Sequence, residues 1–118
     1  MAGGGLIANA DDLLTFGRAM RTPGILNANS LEALWAQPSL HGVTSRMSFG
    51  WFPKANPLRI TISGSNAGVQ ASLSVWKEED LVVVVLANSW GRGSRSGELM
   101  DDSPNGLIGR LAAVCGVH

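Results

Sequence analysis

The segment ITISGSNAGVQ, residues 60–70, offers chemistry through its main chain rather than through its side chains. Ile60 and Ile62 alternate with polar neighbours, as in a half-buried strand, and Gly64 then interrupts the pattern. A glycine inside a strand marks a bulge, or a place where a ligand or another chain comes close to the backbone. The segment therefore predicts either a bend that binds nothing or a strand edge whose amide groups contact a ligand.

Two sets of side chains have the residue types of a serine hydrolase. Ser74 and Lys77 have the Ser-x-x-Lys spacing, but they fall in a predicted strand and its turn. Positions i and i+3 of a strand point to opposite faces, so we expect the Lys77 ammonium group not to reach the hydroxyl. A Ser-His-Asp triad would need His41, in a loop, or His118, the final residue, and an isolated loop histidine is usually solvated.

The sequence predicts no metal site and no cofactor. GRGSRSG, residues 91–97, follows a hairpin strand and opens no helix, so it does not match a dinucleotide-binding loop. Asp101 and Asp102 have no histidine or cysteine at ligand spacing, and we interpret them as a solvated acidic turn. The tryptophans could form a carbohydrate platform, but their predicted elements favour core or rim packing. They are Trp35, Trp51, Trp76 and Trp90.

Composition excludes several classes of partner. Nine Lys and Arg residues balance nine Asp and Glu residues in the 118-residue chain, and no basic run is present, so we expect no nucleic acid. The longest apolar run, residues 81–87, is too short to cross a bilayer, and the N-terminus has no secretion signal. We therefore expect no membrane-spanning segment, and the sequence indicates no compartment. Cys115 is the only cysteine, and its apolar neighbours predict an unreactive thiol in the core.

Residues 1–46 predict a helical segment. NADDLLTFGRAMR, residues 9–21, begins with the N-cap residue Asn9 and has an apolar face that includes Gly17 and Met20. NANSLEALWAQP, residues 27–38, predicts a second helix, capped at Asn27 or Asn29. We expect residues 38–46 to form a loop.

Residues 47–90 change to the period of two that is typical of antiparallel strands. The predicted strands are MSFGWF (47–52), RITIS (59–63), QASLSVWK (70–77) and LVVVVLAN (81–88). The last of them is apolar at almost every position, which predicts a central strand with both faces covered.

A polar loop over residues 91–103 then leads to a predicted C-terminal helix over residues 104–116. Its predicted inward face contains Leu107, Leu111, Val114 and Cys115. The fold class is therefore α+β, with an antiparallel sheet of three to four strands packed with flanking helices in a single domain, residues 1–118. Because one closing helix covers one face, we expect the other face to be uncovered and to favour self-association.

Three segments together resemble one protein family. ISGSNAGVQASLSVWKEEDLVVVVLANSW, residues 62–90, resembles a strand block of the serine β-lactamase and penicillin-binding-protein superfamily, especially its class C β-lactamase and esterase branch. In that block a Lys-Thr-Gly or His-Thr-Gly strand start is followed by a charged turn and a Val-rich strand that ends in Leu-Ala-Asn. AGGGLIANADDLLTFGRAM and MSFGWF are similar to the segments that precede this block in the family. The resemblance covers residues 2–22 and 47–90.

The resemblance implies the C-terminal part of a β-lactamase-like fold and a role in acyl transfer to serine, without a cofactor. Ser63 matches the family's Thr or Ser, Gly64 matches its Gly, and the Ser65 N–H takes the position of an oxyanion-hole donor. The implied partner is a small acyl substrate: a β-lactam, a D-amino-acid peptide or an ester. Ile62 stands where the family has Lys or His, and it can neither hold a carboxylate nor pass a proton.

The sequence also lacks the family's catalytic groups. It contains no tyrosine for the Tyr-x-Asn motif, and the family's Ser-x-x-Lys nucleophile precedes the AGGGL segment. We therefore expect a fragment of a serine hydrolase that is inactive as an isolated chain, with no catalytic residue in it. The alternative is a non-catalytic remnant or interaction module on the same half-fold.

Overall fold

The structure, a computed structural model, describes residues 4–88 and 100–117. These residues form helices on both sides of a sheet, so the fold class is α+β, as predicted. The helices are α1 (Ala10–Ala19), α2 (Ala28–Trp35) and α3 (Leu107–Val114). The strands are β1 (Ser39–Leu40), β2 (Val43–Thr44), β3 (Phe52–Lys54), β4 (Arg59–Asn66), β5 (Val69–Trp76) and β6 (Val82–Ala87).

The strands pair antiparallel in chain order. β3, β4, β5 and β6 form a four-stranded sheet in the order β3-β4-β5-β6. β1 and β2 form a separate two-stranded hairpin, in the stretch of residues 38–46 that the sequence predicts to be loop. At its tip His41 and Gly42 take positive φ angles of 51° and 78°, which allow the chain to reverse there.

Helix α1 packs directly on the sheet. The Asn9 side chain accepts a hydrogen bond from the Asp12 N–H, and the Asp12 side chain accepts one from the Asn9 N–H, which together form a capping box. Gly17 is buried, and a Cβ atom there would lie 2.7 Å from Val82 Cγ1 and 3.1 Å from Leu73 Cδ1. The absence of a side chain at Gly17 therefore sets how closely α1 approaches β5 and β6.

Helix α2 completes the same layer. Asn27, rather than Asn29, is its N-cap and accepts a hydrogen bond from the Ser30 N–H at 2.9 Å. The Trp35 indole Nε1–H donates to the Met20 carbonyl oxygen at 2.9 Å, so the polar edge of this buried ring is satisfied. α2 is therefore joined to the C-terminal end of α1.

Both faces of the sheet are covered, which corrects the expectation of an uncovered face. The α1 and α2 side carries a core cluster of Met20, Leu31, Leu34, Trp35, Trp51, Ile60, Leu73 and Val75. The α3 side carries a second cluster of Trp76, Val83, Val85, Ile108, Ala112 and Val117. The prediction assigned only the C-terminal helix to the sheet, whereas the N-terminal helices pack on its opposite face.

The position of the valine-rich strand was predicted wrongly. β6 lies at one edge of the four-stranded sheet, not in its interior. Val83 and Val85 pack on the α3 side, while Val82 and Val84 pack against the α1 side. An apolar residue at every position reports that both faces of a strand are covered, and it does not report how many neighbouring strands it has.

The first predicted strand, residues 47–52, is mostly a turn. The Trp51 N–H donates to the Ser48 carbonyl oxygen at 2.9 Å, and the Ser48 N–H donates back to the Trp51 carbonyl oxygen at 2.7 Å. Phe49 and Gly50 between them take positive φ angles of 47° and 90°. The chain therefore reverses inside MSFGWF, and the strand begins only at Phe52.

The C-terminal helix is shorter than the predicted 104–116 and faces the sheet differently. Leu107 packs against the α3-side cluster, as predicted. Ile108 and Ala112 are the buried residues of the helix, whereas Leu111 and Val114 are 40% and 87% exposed. Cys115 is exposed rather than buried in the core. Of the predicted 91–103 loop, residues 91–99 lie outside the described residues, as does Trp90. No helix within 4–88 and 100–117 is both long and apolar enough to cross a membrane.

Candidate functional site

The site begins where β3 leaves β4 unpaired. β3 contacts only the first part of β4, with Lys54 opposite Arg59 and Phe52 opposite Thr61. From residue 62 to residue 66, no strand of the described chain lies on the β3 side of β4. β4 therefore has an open edge along the segment that contains all four predicted site residues.

The register fixes which backbone groups point outward at this edge. A two-residue turn joins Asn66 to Val69, and the pair that closes such a turn is hydrogen-bonded. Hydrogen-bonded and non-hydrogen-bonded pairs alternate along an antiparallel ladder, so Ile62 and Gly64 bond to β5. The N–H and C=O groups of Ser63 and Ser65 consequently point away from the sheet.

The glycine in this segment does not form a bulge. The β4–β5 register is unbroken from Arg59 opposite Trp76 to Asn66 opposite Val69. Gly64 is exposed, and no atom lies within 4 Å of the Cβ position that it lacks. The bend comes later, at Gly68, whose φ is +78°. The structure therefore excludes a bulge at Gly64, confirms a tight turn at Gly68, and shows that the strand edge before that turn is accessible.

Ile62 lies at the start of the open edge and brings no charge to it. Its side chain is half-buried and packs against the core cluster on the α1 side of the sheet. It sits opposite Leu73 of β5. The position that the resemblance assigns to a Lys or His therefore has a purely apolar environment on that side.

A ladder of polar side chains crosses the other face, and the sequence analysis missed it. Thr61 Oγ1 and Ser74 Oγ are 2.8 Å apart, and both residues are buried. The next cross-strand pairs are Ser63 with Ser72 and Ser65 with Gln70. The sequence does contain a sign of this ladder, because polar residues occupy alternate positions of QASLSVWK. Such a pattern is typical of a solvent-exposed face, whereas these residues of β5 are buried.

Gln70 is the unsatisfied member of this ladder. The residue is 6% exposed, and its Oε1 atom has no hydrogen-bond partner among the residues that the structure describes. Buried side-chain carbonyl oxygens are nearly always paired, so this one departs from the usual pattern of buried polar groups.

Ser74 and Lys77 do not form a catalytic pair, as expected from their strand positions. The Ser74 hydroxyl is fully buried and hydrogen-bonded to Thr61. Lys77 Nζ lies 5.8 Å from the centre of the Trp35 ring, within the layer on the opposite side of the sheet. His41 lies in an exposed turn, as expected for a solvated loop histidine, and His118 lies outside the described residues.

Asp102 is a largely buried ionic centre rather than part of a solvated turn. Its carboxylate accepts a hydrogen bond from Lys54 Nζ at 2.5 Å and one from Arg59 Nε at 3.1 Å, and its side chain is 10% exposed. Burial raises the pKa of Asp102, but the hydrogen bonds and charges of Lys54 and Arg59 outweigh burial and lower it below 3.8. These partners are distant in sequence, so no local pattern could have revealed them.

Metal ligands are not grouped in this site. Among the residues that the structure describes, no three His, Cys, Asp or Glu side chains come close enough to hold a metal ion.

In comparisons with known proteins, no family model, curated protein or solved structure matches this chain.

Proposed function

We propose that this chain is the substrate-binding part of a β-lactamase-related serine hydrolase, with the nucleophile and base supplied from outside these residues. The observation that carries the proposal is the open edge of β4, where the Ser63 and Ser65 backbone groups are free to bond a ligand. An extended acyl substrate would pair with this edge in the manner of an added strand.

The edge offers the donor that acyl transfer requires. The outward N–H of Ser65 takes the role of one oxyanion-hole donor, and the Ser63 C=O accepts from a substrate amide. Gly64 between them leaves space for an acyl group to approach. The substrate class is a small acyl compound: a β-lactam, a D-amino-acid peptide or an ester. No cofactor is needed for this chemistry.

The alternative is a non-catalytic interaction module on the same half-fold. Ile62 favours it, because its apolar side chain supplies neither a proton nor a charge at the position where the related enzymes carry Lys or His. Such a module would use the β4 edge to add an extended segment of a partner protein, without any covalent step.

The coding sequence upstream of Met1 separates these two functions. For a hydrolase we expect an open frame that continues upstream and encodes Ser-x-x-Lys followed by Tyr-x-Asn, because this chemistry needs a lysine-activated hydroxyl. The measurement is sequencing of the gene and of its transcript. A transcript that starts immediately before Met1, with its own start signal, would contradict the hydrolase and favour the interaction module.

We also propose self-association, at the β6 edge rather than at a sheet face. The Trp76 N–H donates to the Leu81 carbonyl oxygen, so Val82, Val84 and Leu86 direct their backbone groups away from β5. No lysine, proline or bulge interrupts β6. Apolar edge strands that lack these protective features favour pairing with another copy of the chain.

This proposal predicts a concentration-dependent dimer in sedimentation velocity. Leu86, 45% exposed, is the position where a charge disturbs the edge without entering the core. Leu86→Lys should shift the dimer to monomer, because two edges that each carry a lysine repel. Val69→Lys, at a residue 50% exposed on β5, is the matched control and should leave the dimer unchanged. A single monomeric species at all concentrations would refute association.

A further inference from the structure

A cavity of about 340 Å³ lies on the α3 side of the sheet, beside the end of β3. Its floor includes Thr61 and Ser63 of β4, and Phe52 of β3 and Met100 contribute apolar surface to it. The volume is at the lower end of the range for small-ligand sites, about 300 to 1,000 Å³. The space therefore suits a compact molecule rather than a protein segment.

The cavity has an excess of positive charge. Arg46 and Lys54 both line it, and among the described lining residues Asp102 is the one carboxylate. Asp102 already accepts hydrogen bonds from Lys54 and Arg59, so its negative charge is balanced by these two cations. Among the described residues, no ion pair involves Arg46, so no described carboxylate compensates its guanidinium group at the cavity.

We infer that this cavity binds a small organic anion, with its charged group against Arg46 and its apolar body against Phe52 and Met100. A guanidinium group presents paired N–H donors in a planar fork, which fits the two oxygens of a carboxylate. The apolar lining gives the body of the ligand a place to leave water. This inference stands on the cavity alone and does not depend on acyl transfer.

Phenylacetate and its neutral analogue phenylacetamide test the inference, since they differ in charge at nearly the same shape. The ¹⁵N-labelled chain is titrated with each probe, and the backbone amide signals of Thr61 and Ser63 report on the cavity. We expect saturable shifts with phenylacetate and a dissociation constant about tenfold or more higher for phenylacetamide. Inorganic phosphate, a charge without an apolar body, should also bind more weakly than phenylacetate.

Arg46→Gln removes the cation at an exposed residue, so the fold should survive. This variant should bind phenylacetate about tenfold or more weakly. Arg18→Gln makes the same change at an exposed residue of α1, on the other side of the sheet, and should bind within about twofold of the unmodified chain. Equal affinity for acid and amide, equal affinity for phosphate, no saturable shift, or Arg46→Gln behaving as Arg18→Gln would each overturn the inference.

Discussion

Replacing Asp102 with asparagine should lower the free energy of unfolding by about 2 to 3 kcal/mol at neutral pH. The carboxylate is 10% exposed and holds Lys54 and the 12%-exposed side chain of Arg59. Asparagine keeps the shape but removes the charge, so two cations remain close together without an anion between them. Urea denaturation followed by tryptophan fluorescence measures the loss.

The same variant predicts a definite pH dependence. The pKa of Asp102 is lowered in the folded chain, so its ionised form stabilises the fold above the ordinary pKa of 3.8 and loses that effect as pH falls through the folded value. The stability difference between the unmodified chain and Asp102→Asn should therefore be constant from about pH 5 to pH 7 and shrink below about pH 4.

Glu79→Gln is the matched control, because Glu79 is exposed in the turn before β6 and undergoes the same loss of charge. It should change stability by less than about 0.5 kcal/mol. A difference between Asp102→Asn and the unmodified chain that is as small as this, or that persists unchanged to about pH 2, would show that the ionic centre is not what stabilises this end of the sheet.

Local patterns were enough to predict the first helix and the presence of strands β4 and β5, although β4 continues to Asn66 rather than ending at Ser63. Asn9 before an apolar face predicts α1 because an N-cap side chain and a 3.6-residue period act within a few residues. The alternation of Ile60 and Ile62 predicts β4 for the same local reason. In these elements the conformation that neighbouring residues favour is the same as the conformation in the fold.

Features that depend on distant partners could not be predicted from local patterns. The apolar face of the C-terminal helix was predicted to contain Leu107, Leu111, Val114 and Cys115. Leu107 does pack against the cluster on that side of the sheet, but the buried residues are Ile108 and Ala112, which have the same spacing as Leu107 and Leu111. Only contact with Val83 and Val85 of β6 decides between the two faces. The Asp102 centre is similar, because its cations arrive from β3 and β4.

One property of the candidate β4 edge could be predicted from local sequence, and another could not. The sequence located the segment from residue 62 to residue 65, because small residues inside a strand pattern are a local signal. That the edge is open depends on where β3 begins, and β3 begins only at Phe52 because the chain turns at Phe49 and Gly50. The predicted strand over residues 47–52 would have extended further along β4.

Ser65→Pro should lower the rate of serine acylation by about a hundredfold or more in the hydrolase that we propose. Proline removes the outward N–H, the proposed oxyanion donor, and because this N–H does not bond to β5, the ladder should remain intact. Ser65→Ala removes the hydroxyl but keeps the N–H, and it should retain the rate. The isolated chain should form no acyl-enzyme, because a lone oxyanion donor cannot replace an activated nucleophile.

The most direct measurement is acylation by a fluorescent penicillin and a serine-reactive phosphonate, with the adduct located by mass spectrometry. It compares the isolated chain with the protein expressed together with the coding sequence upstream of Met1, each in its unmodified form and as the Ser65→Ala and Ser65→Pro variants. We predict no adduct on the isolated chain, and on the longer protein an adduct at an upstream Ser-x-x-Lys serine that Ser65→Pro slows and Ser65→Ala does not. A stoichiometric adduct on Ser63, Ser65 or Ser74, or an acylation rate that Ser65→Pro leaves unchanged, would contradict the account.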